Sequence, residues 1–99
     1  MATHPQIVRL PTMYGGCDAI HAMRDGEQIA RASRHGFEWL IGIDGRDDFD
    51  VTYRIELSPA SDSNTAISAK SRDEILADVE SILLRQIARF DALRFARAA

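Results

Sequence analysis

Two side chains with reactive groups, Cys17 and His21, stand four positions apart, which would put a thiol and an imidazole on one face of a helix. A nucleophilic thiol with a base also needs a third group that orients the base, and the sequence does not identify one. A structural zinc site needs four ligands, and Cys17 is the only cysteine of the chain. We therefore expect no catalytic residue, no metal, no cofactor and no enzymatic activity, and interpret Cys17 as a packing residue.

Four aspartates form the other notable group: Asp44, Asp47, Asp48 and Asp50. Their order does not match the alternating oxygen ligands of an EF-hand, and no glutamate closes a twelve-residue loop. Carboxylates that do acid–base work need a concave, partly dry site, whereas the Asp44-Gly45 pair predicts an exposed turn. One interpretation is a solvated hairpin turn. The other is an acidic contact surface for a basic partner, and these four residues are our candidate partner-binding site.

The charge of the chain is concentrated in its middle third. The 99 residues have a net charge of −3, and residues 37–66 hold two arginines against seven acids. That balance gives little attraction to nucleic acid or to anionic lipid. No apolar run approaches the ~20 residues of a membrane helix, and no signal peptide is recognisable at the start. With a single cysteine, these features predict a cytoplasmic protein without membrane contact.

The aspartates lie between two predicted strands. Residues 49–57 alternate between apolar and polar side chains, which is typical of a half-buried strand. Residues 37–43 have the same pattern and predict its hairpin partner, joined by a loop of about five residues. Residues 27–34 are weakly apolar and predict an edge strand. Residues 6–10 or 65–69 could add a fourth short strand.

Residues 17–24 fit two structures. Cys17, Ile20 and Met23 recur at the spacing of a helix face, and Asp25-Gly26 would end that helix. The same Asp-Gly pair could instead close a hairpin between two strands. We favour a short N-terminal helix.

A long helix is predicted over residues 72–97. Ser71 and Glu74 have the spacing of a capping box, and no glycine or proline follows. The sequence thus predicts a single α+β domain over residues 1–99, with an antiparallel sheet of three to four strands against this helix. The helix stripe of the predicted core is Ile75, Leu76, Val79, Ile82, Leu83, Ile87, Phe90 and Leu93. The sheet side of that core is Phe37, Trp39, Ile41, Ile43, Val51, Tyr53, Ile55 and Leu57.

A second face of this helix carries Leu84, Ala88 and Phe95, which are too apolar as a group for a fully solvated surface. At 1.5 Å per residue, about 25 helical residues span roughly 38 Å, which is longer than the predicted sheet. Either the N-terminal segment, residues 6–24, covers this face, or the face mediates self-association into a homodimer.

These features predict a non-enzymatic protein–protein interaction module, a small inhibitor or adaptor that acts by surface occlusion. One example would be a phage or mobile-element anti-defence inhibitor that blocks a basic nucleic-acid-binding machine. Two alternatives remain open. One is a small-ligand-binding or enzymatic domain without a recognisable motif. The other is a nucleic-acid-binding module that uses Arg31, Arg34, Arg85 and Arg89.

Overall fold

The computed structural model describes residues 4–13, 15–59 and 68–98, with side chains through residue 94. Within these residues, five strands precede one long helix. The elements are β1 Gln6–Pro11, β2 Cys17–Arg24, β3 Glu27–His35, β4 Glu38–Ile43, β5 Arg46–Arg54 and α1 Arg72–Ala98. The strands form one antiparallel sheet in chain order, and α1 packs against β3, β4 and β5. The α+β class and the C-terminal helix are confirmed, whereas the sheet has five strands instead of three or four.

Residues 17–24 form β2, so the prediction of a short N-terminal helix is wrong. Asp25 and Gly26 both have positive φ angles, 53° and 81°. That conformation in a two-residue turn follows the twist of a β-hairpin and connects β2 to β3. Ile20 and Ala22 are fully buried at alternate positions, which is the period of a strand. The helical spacing of the apolar residues in this segment was therefore coincidental.

β3 is the central strand of the sheet, not an edge strand. Ala30 and Ala32 on β3 are almost completely buried. Because these side chains are short, α1 can approach the middle of the sheet closely. The weakly apolar sequence of β3 thus reflects a helix contact, and the edges are β1 and β5.

β5 begins at Arg46, earlier than the predicted strand of residues 49–57, and ends at Arg54. The connection from β4 is the two-residue turn Asp44-Gly45, in which Gly45 has a φ of 77°. The predicted five-residue loop is wrong. The pairing of β4 with β5 shifts register between Ile41 and Ile43, so the residues after Gly45 that were expected in the loop belong to an irregular part of β5. Three of the four aspartates therefore lie on an edge strand.

The chain after β5 continues to Leu57, which forms an isolated antiparallel bridge with Ser68. The Ala69 amide also donates to the Glu56 carbonyl at 2.8 Å. Of the possible strand at residues 65–69, only residues 68 and 69 are described, and residues 65–67 lie outside the described residues.

The helix begins as its capping box predicts. The Glu74 amide donates to Ser71 Oγ at 3.2 Å, and the Ser71 amide donates to Glu74 Oε1 at 3.3 Å. The helix stripe then packs on one sheet face. The buried apolar side chains are Ile20, Ala22, Ala30, Ala32, Trp39, Ile41, Ile43, Phe49, Ile55, Ile75, Leu76, Val79, Leu83 and Ile87.

Three apolar residues expected in the core are exposed. Phe37 is 47% exposed because it lies in the turn between β3 and β4, next to Gly36. Leu57 is 43% exposed because β5 ends before it, and Leu93 is 51% exposed near the end of the helix. Val51 and Tyr53 are half-buried and pack against the core. The core is therefore centred on the middle of the sheet.

Candidate functional site

Asp44, the first of the candidate partner-binding aspartates, is held by β3. Its Oδ1 accepts a hydrogen bond from Arg31 Nη1 at 3.0 Å, and its Oδ2 accepts one from Gln28 Nε2 at 2.9 Å. The Asp44 amide donates to the Ile29 carbonyl at 3.0 Å. Both carboxylate oxygens thus have partners within the fold, and Asp44 fixes the turn that starts β5.

Asp50 packs its side chain against Gly42 on β4. A methyl group at Gly42 would collide with Asp50 Oδ1. This oxygen is buried and accepts no hydrogen bond from the residues that the structure describes. Gly42 therefore provides the space that the irregular part of β5 needs, and Asp50 Oδ1 is inaccessible to a partner.

Asp47 and Asp48 are the exposed members of the predicted site. The Asp48 side chain is 61% exposed, and its carboxylate accepts hydrogen bonds from Arg46 Nε at 3.1 Å and Arg46 Nη2 at 2.9 Å. This bond raises the pKa of Arg46. Asp44 and Asp50 are half-buried whereas Asp47 and Asp48 are exposed, and we call Asp47 and Asp48 the acidic edge.

An aromatic cluster connects the acidic edge to the helix. The rings of Phe49 and Phe90 meet edge to face with centroids 5.5 Å apart. The Arg46 guanidinium lies 5.2 Å and 5.4 Å from the two centroids. Gln86 Nε2 donates to the Phe49 carbonyl. The members of this cluster come from distant segments, so the sequence alone does not reveal it; its only sequence signal is the apolar alternation that starts at Phe49.

The second face of the helix is partly sheltered by the start of the chain. Leu84 is half-buried and, with Ala88, lines a pocket of about 230 Å³ that His4 and Pro5 complete. The side chain of Phe95 lies outside the described residues. Self-association through Leu84, Ala88 and Phe95 therefore stays a prediction.

An ion pair beside this pocket ties β2 to the helix. Arg24 Nη1 and Nη2 donate to the two carboxylate oxygens of Asp91 at 3.0 Å and 2.8 Å. The two side chains are only 14% and 15% exposed. The bond to Asp91 raises the pKa of Arg24. A similar but more exposed pair, Arg9 with Glu80 at 2.6 Å, links β1 to the helix.

The arginines considered for nucleic-acid binding lie in two different layers. Arg31 and Arg34 belong to β3 and approach the carboxylates of Asp44 and Asp18 at 3.0 Å and 3.8 Å. The other two, Arg85 and Arg89, are exposed on α1. The fold does not bring the four side chains together.

Cys17 and His21 are separated by the extended backbone of β2. Four residues of strand span about 13 Å, so the shared helical face does not exist. Cys17 is half-buried against the core, and its thiol donates to the Ala19 carbonyl at 3.3 Å. Within residues 4–13, 15–59 and 68–98, no three His, Cys, Asp or Glu side chains converge as metal ligands would.

The sheet face opposite α1 is a surface that the sequence analysis missed. No described helix or strand lies against it. By the alternation of the strands, Val8, Leu10 and Leu40 point to this side and are 36%, 36% and 38% exposed. Residues 17–24 form β2 and are themselves part of the sheet. We call this uncovered side the open sheet face.

The chain matches no protein-family model, no curated protein and no solved structure. In the part of the chain that the structure describes, no helix has both the length and the apolar character that a membrane span requires.

Proposed function

We propose that this chain is a non-enzymatic protein–protein interaction module, a small inhibitor or adaptor that occludes a surface of its partner. The observation that carries this proposal is the acidic edge, two exposed carboxylates on an edge strand of the sheet. An edge strand offers backbone N–H and C=O groups to a further strand. Carboxylates beside those groups favour a partner segment with lysine or arginine.

β5, which carries the acidic edge, has contacts to the rest of the fold both before Asp47 and after Asp48. Asp44 is bonded to β3 at the turn before it. Phe49 packs against Phe90, and its carbonyl accepts a hydrogen bond from Gln86. A surface that is ordered before binding loses less conformational entropy when the partner arrives. This supports β5 as a docking strand.

The partner that this proposal requires has a basic surface. A nucleic-acid-binding machine fits by charge, since its groove is built to hold phosphates. An inhibitor encoded by a phage or mobile element would compete with the nucleic acid by steric and electrostatic occlusion in the cytoplasm. The proposed partner-contact residues are Asp47 and Asp48, with Asp44 and Asp50 supporting the strand.

The test is an NMR titration with a synthetic peptide of alternating lysine and valine at low salt. We expect the amide resonances of β5 to shift. The affinity falls with added salt because the screening length drops from about 30 Å at 0.01 M to about 8 Å at 0.15 M. Asp47→Asn with Asp48→Asn weakens binding by about tenfold, which corresponds to about 1.4 kcal/mol.

The matched control is Asp25→Asn with Glu27→Gln, which removes two exposed charges from the β2–β3 turn region. This variant has the same net charge as the acidic-edge variant, and we expect it to bind the peptide as the original chain does. Equal losses in both variants, or shifts that avoid β5, contradict the proposal. If the acidic edge only keeps β5 from pairing with other copies, its neutralisation causes aggregation without weaker peptide binding.

A further inference from the structure

The open sheet face has a row of side chains with an uneven profile. Leu10, Ala19, Ser33 and Leu40 are neighbours in the register of β1 to β4, and Thr52 on β5 extends the row. Large side chains occupy the first and fourth positions, and short ones occupy the second, third and fifth. We call these five residues the transverse row.

We propose that the open sheet face binds a second copy of this chain, related by a two-fold axis that runs along β3. This axis puts β1 of one copy over β5 of the other, β2 over β4, and β3 over itself. Leu40 of each copy then lies over Ala19 of the other, and Leu10 lies over Thr52. Each large side chain of the transverse row thus meets a short one, as a self-complementary interface requires.

One pair of the neighbouring row follows the same rule, while Arg31 on β3 lies over Arg31 of the other copy. Val8, His21, Arg31 and Gly42 are register neighbours across β1 to β4. The axis puts His21 of one copy over Gly42 of the other, again a large residue over a small one. The Asp50 side chain of the same copy fills the space beside Gly42.

The charges of the open sheet face favour an identical partner over a strongly charged one. Arg31 lies 3.0 Å from the Asp44 carboxylate, and Arg54 Nη2 donates to Glu38 at 2.9 Å. Each arginine that is described on this face therefore has a carboxylate beside it in its own copy. Two such faces do not repel each other through a field of one sign.

The size of the face also fits a dimer. Five strands about 4.8 Å apart, each about eight residues long, cover roughly 600 Å². Two copies bury roughly 1,200 Å², the lower end of specific protein–protein interfaces. Sheets that pack face to face lie about 10 Å apart with their strands within about 30°. We expect a reversible dimer with a Kd in the micromolar range. The acidic edge lies on β5, at the border of the sheet, and is exposed in the single chain.

The experiment is sedimentation velocity from about 0.1 μM to about 100 μM, which brackets a micromolar Kd. The original chain should shift from monomer to dimer across this range. Leu40→Glu and Ala19→Arg each weaken the dimer by at least about tenfold, since each places a charge in an apolar contact. Their combination restores it, because the introduced carboxylate of one copy lies over the introduced guanidinium of the other.

The control Ala88→Glu changes an exposed residue of the helix, and we expect it to leave the dimer intact. Circular dichroism establishes that each variant is folded. A protein that stays monomeric at every concentration overturns the proposal, as does loss of the dimer in the control. Folded single variants whose combination fails to restore association also overturn it.

Discussion

The two faces of the sheet are built from the same strands, but one is covered by the helix and the other is open. On β4, Ile41 is completely buried under the helix, while its neighbour Leu40 is 38% exposed on the other side. On β3, Ala30 and Ala32 contribute to the core, while Arg31 between them bonds to Asp44. Alternate residues of one strand thus point into the core on one side and towards the open sheet face on the other. Substitutions on the covered face should unfold the protein, and those on the open sheet face should change what it binds.

Adjacent residues of β4 give the largest expected contrast. Ile41→Ala removes a fully buried side chain and should lower the free energy of unfolding by about 2–5 kcal/mol. Leu40→Ala, on the open sheet face, should cost less than about 1 kcal/mol in the monomer. Urea denaturation of dilute protein measures both. Equal losses would show that the open sheet face is covered in the monomer.

Gly42 tests how the irregular part of β5 is accommodated. Gly42→Ala should cost about 1–3 kcal/mol, because the added methyl group collides with Asp50 Oδ1. Asp50→Ala removes the colliding oxygen, so the double variant should recover most of that loss. A double-mutant cycle by urea denaturation measures the coupling. Simple additivity of the two effects would mean that the side chains are not in contact.

The two ion pairs that join the sheet to the helix should differ in strength. Arg24 and Asp91 are 14% and 15% exposed, whereas Arg9 and Glu80 are 46% and 22% exposed. Double-mutant cycles to alanine should give a coupling of about 1–2 kcal/mol for the sheltered pair and under about 1 kcal/mol for the exposed one. The reverse order would show that solvent reaches Arg24 more easily than Arg9.

The smallest expected effect depends on pH. Lys70 Nζ at 2.7 Å and the Tyr53 hydroxyl at 2.8 Å both donate to Asp78, and these bonds lower the pKa of Asp78. Because the pKa is lower in the folded state, the stabilisation is present above the ordinary value of about 4 and is lost on acidification.

Asp78→Asn removes this contribution. The stability difference between the original chain and the variant should therefore shrink as the pH falls below about 4. Thermal unfolding at a series of pH values measures it. A difference that stays constant through that range would mean that the Asp78 carboxylate is not stabilised in the folded state.

The elements with a clear period could be predicted from the sequence. The alternation after Phe49 identifies a strand, and the Ser71–Glu74 box with its apolar stripe identifies the helix. β2 could not be assigned, because Ile20 and Ala22 give too short an apolar signal to distinguish a strand from a helix. The hairpin with β3 decides its structure, and that pairing is a tertiary property.

The positions of the aspartates were easier to predict than their contacts. They form one cluster in the sequence, and the structure places them in β5 and in the turn before it. The contacts of two of these carboxylates depend on residues of neighbouring strands. Asp44 is bonded by Arg31 and Gln28, and Asp50 fits against Gly42. The open sheet face was missed because β2 forms part of it, and β2 was expected to be a helix.

An isotope-filtered NOE experiment on a mixture of labelled and unlabelled copies tests most directly whether the open sheet face binds a second copy of this chain. At concentrations that favour association, we expect NOEs between the Leu40 methyl groups of one copy and the Ala19 methyl group of the other. Intermolecular NOEs at Ala88 without any at Leu40 would contradict a dimer through the open sheet face. A sample that sediments as a dimer but shows no intermolecular NOE at either residue would also contradict it.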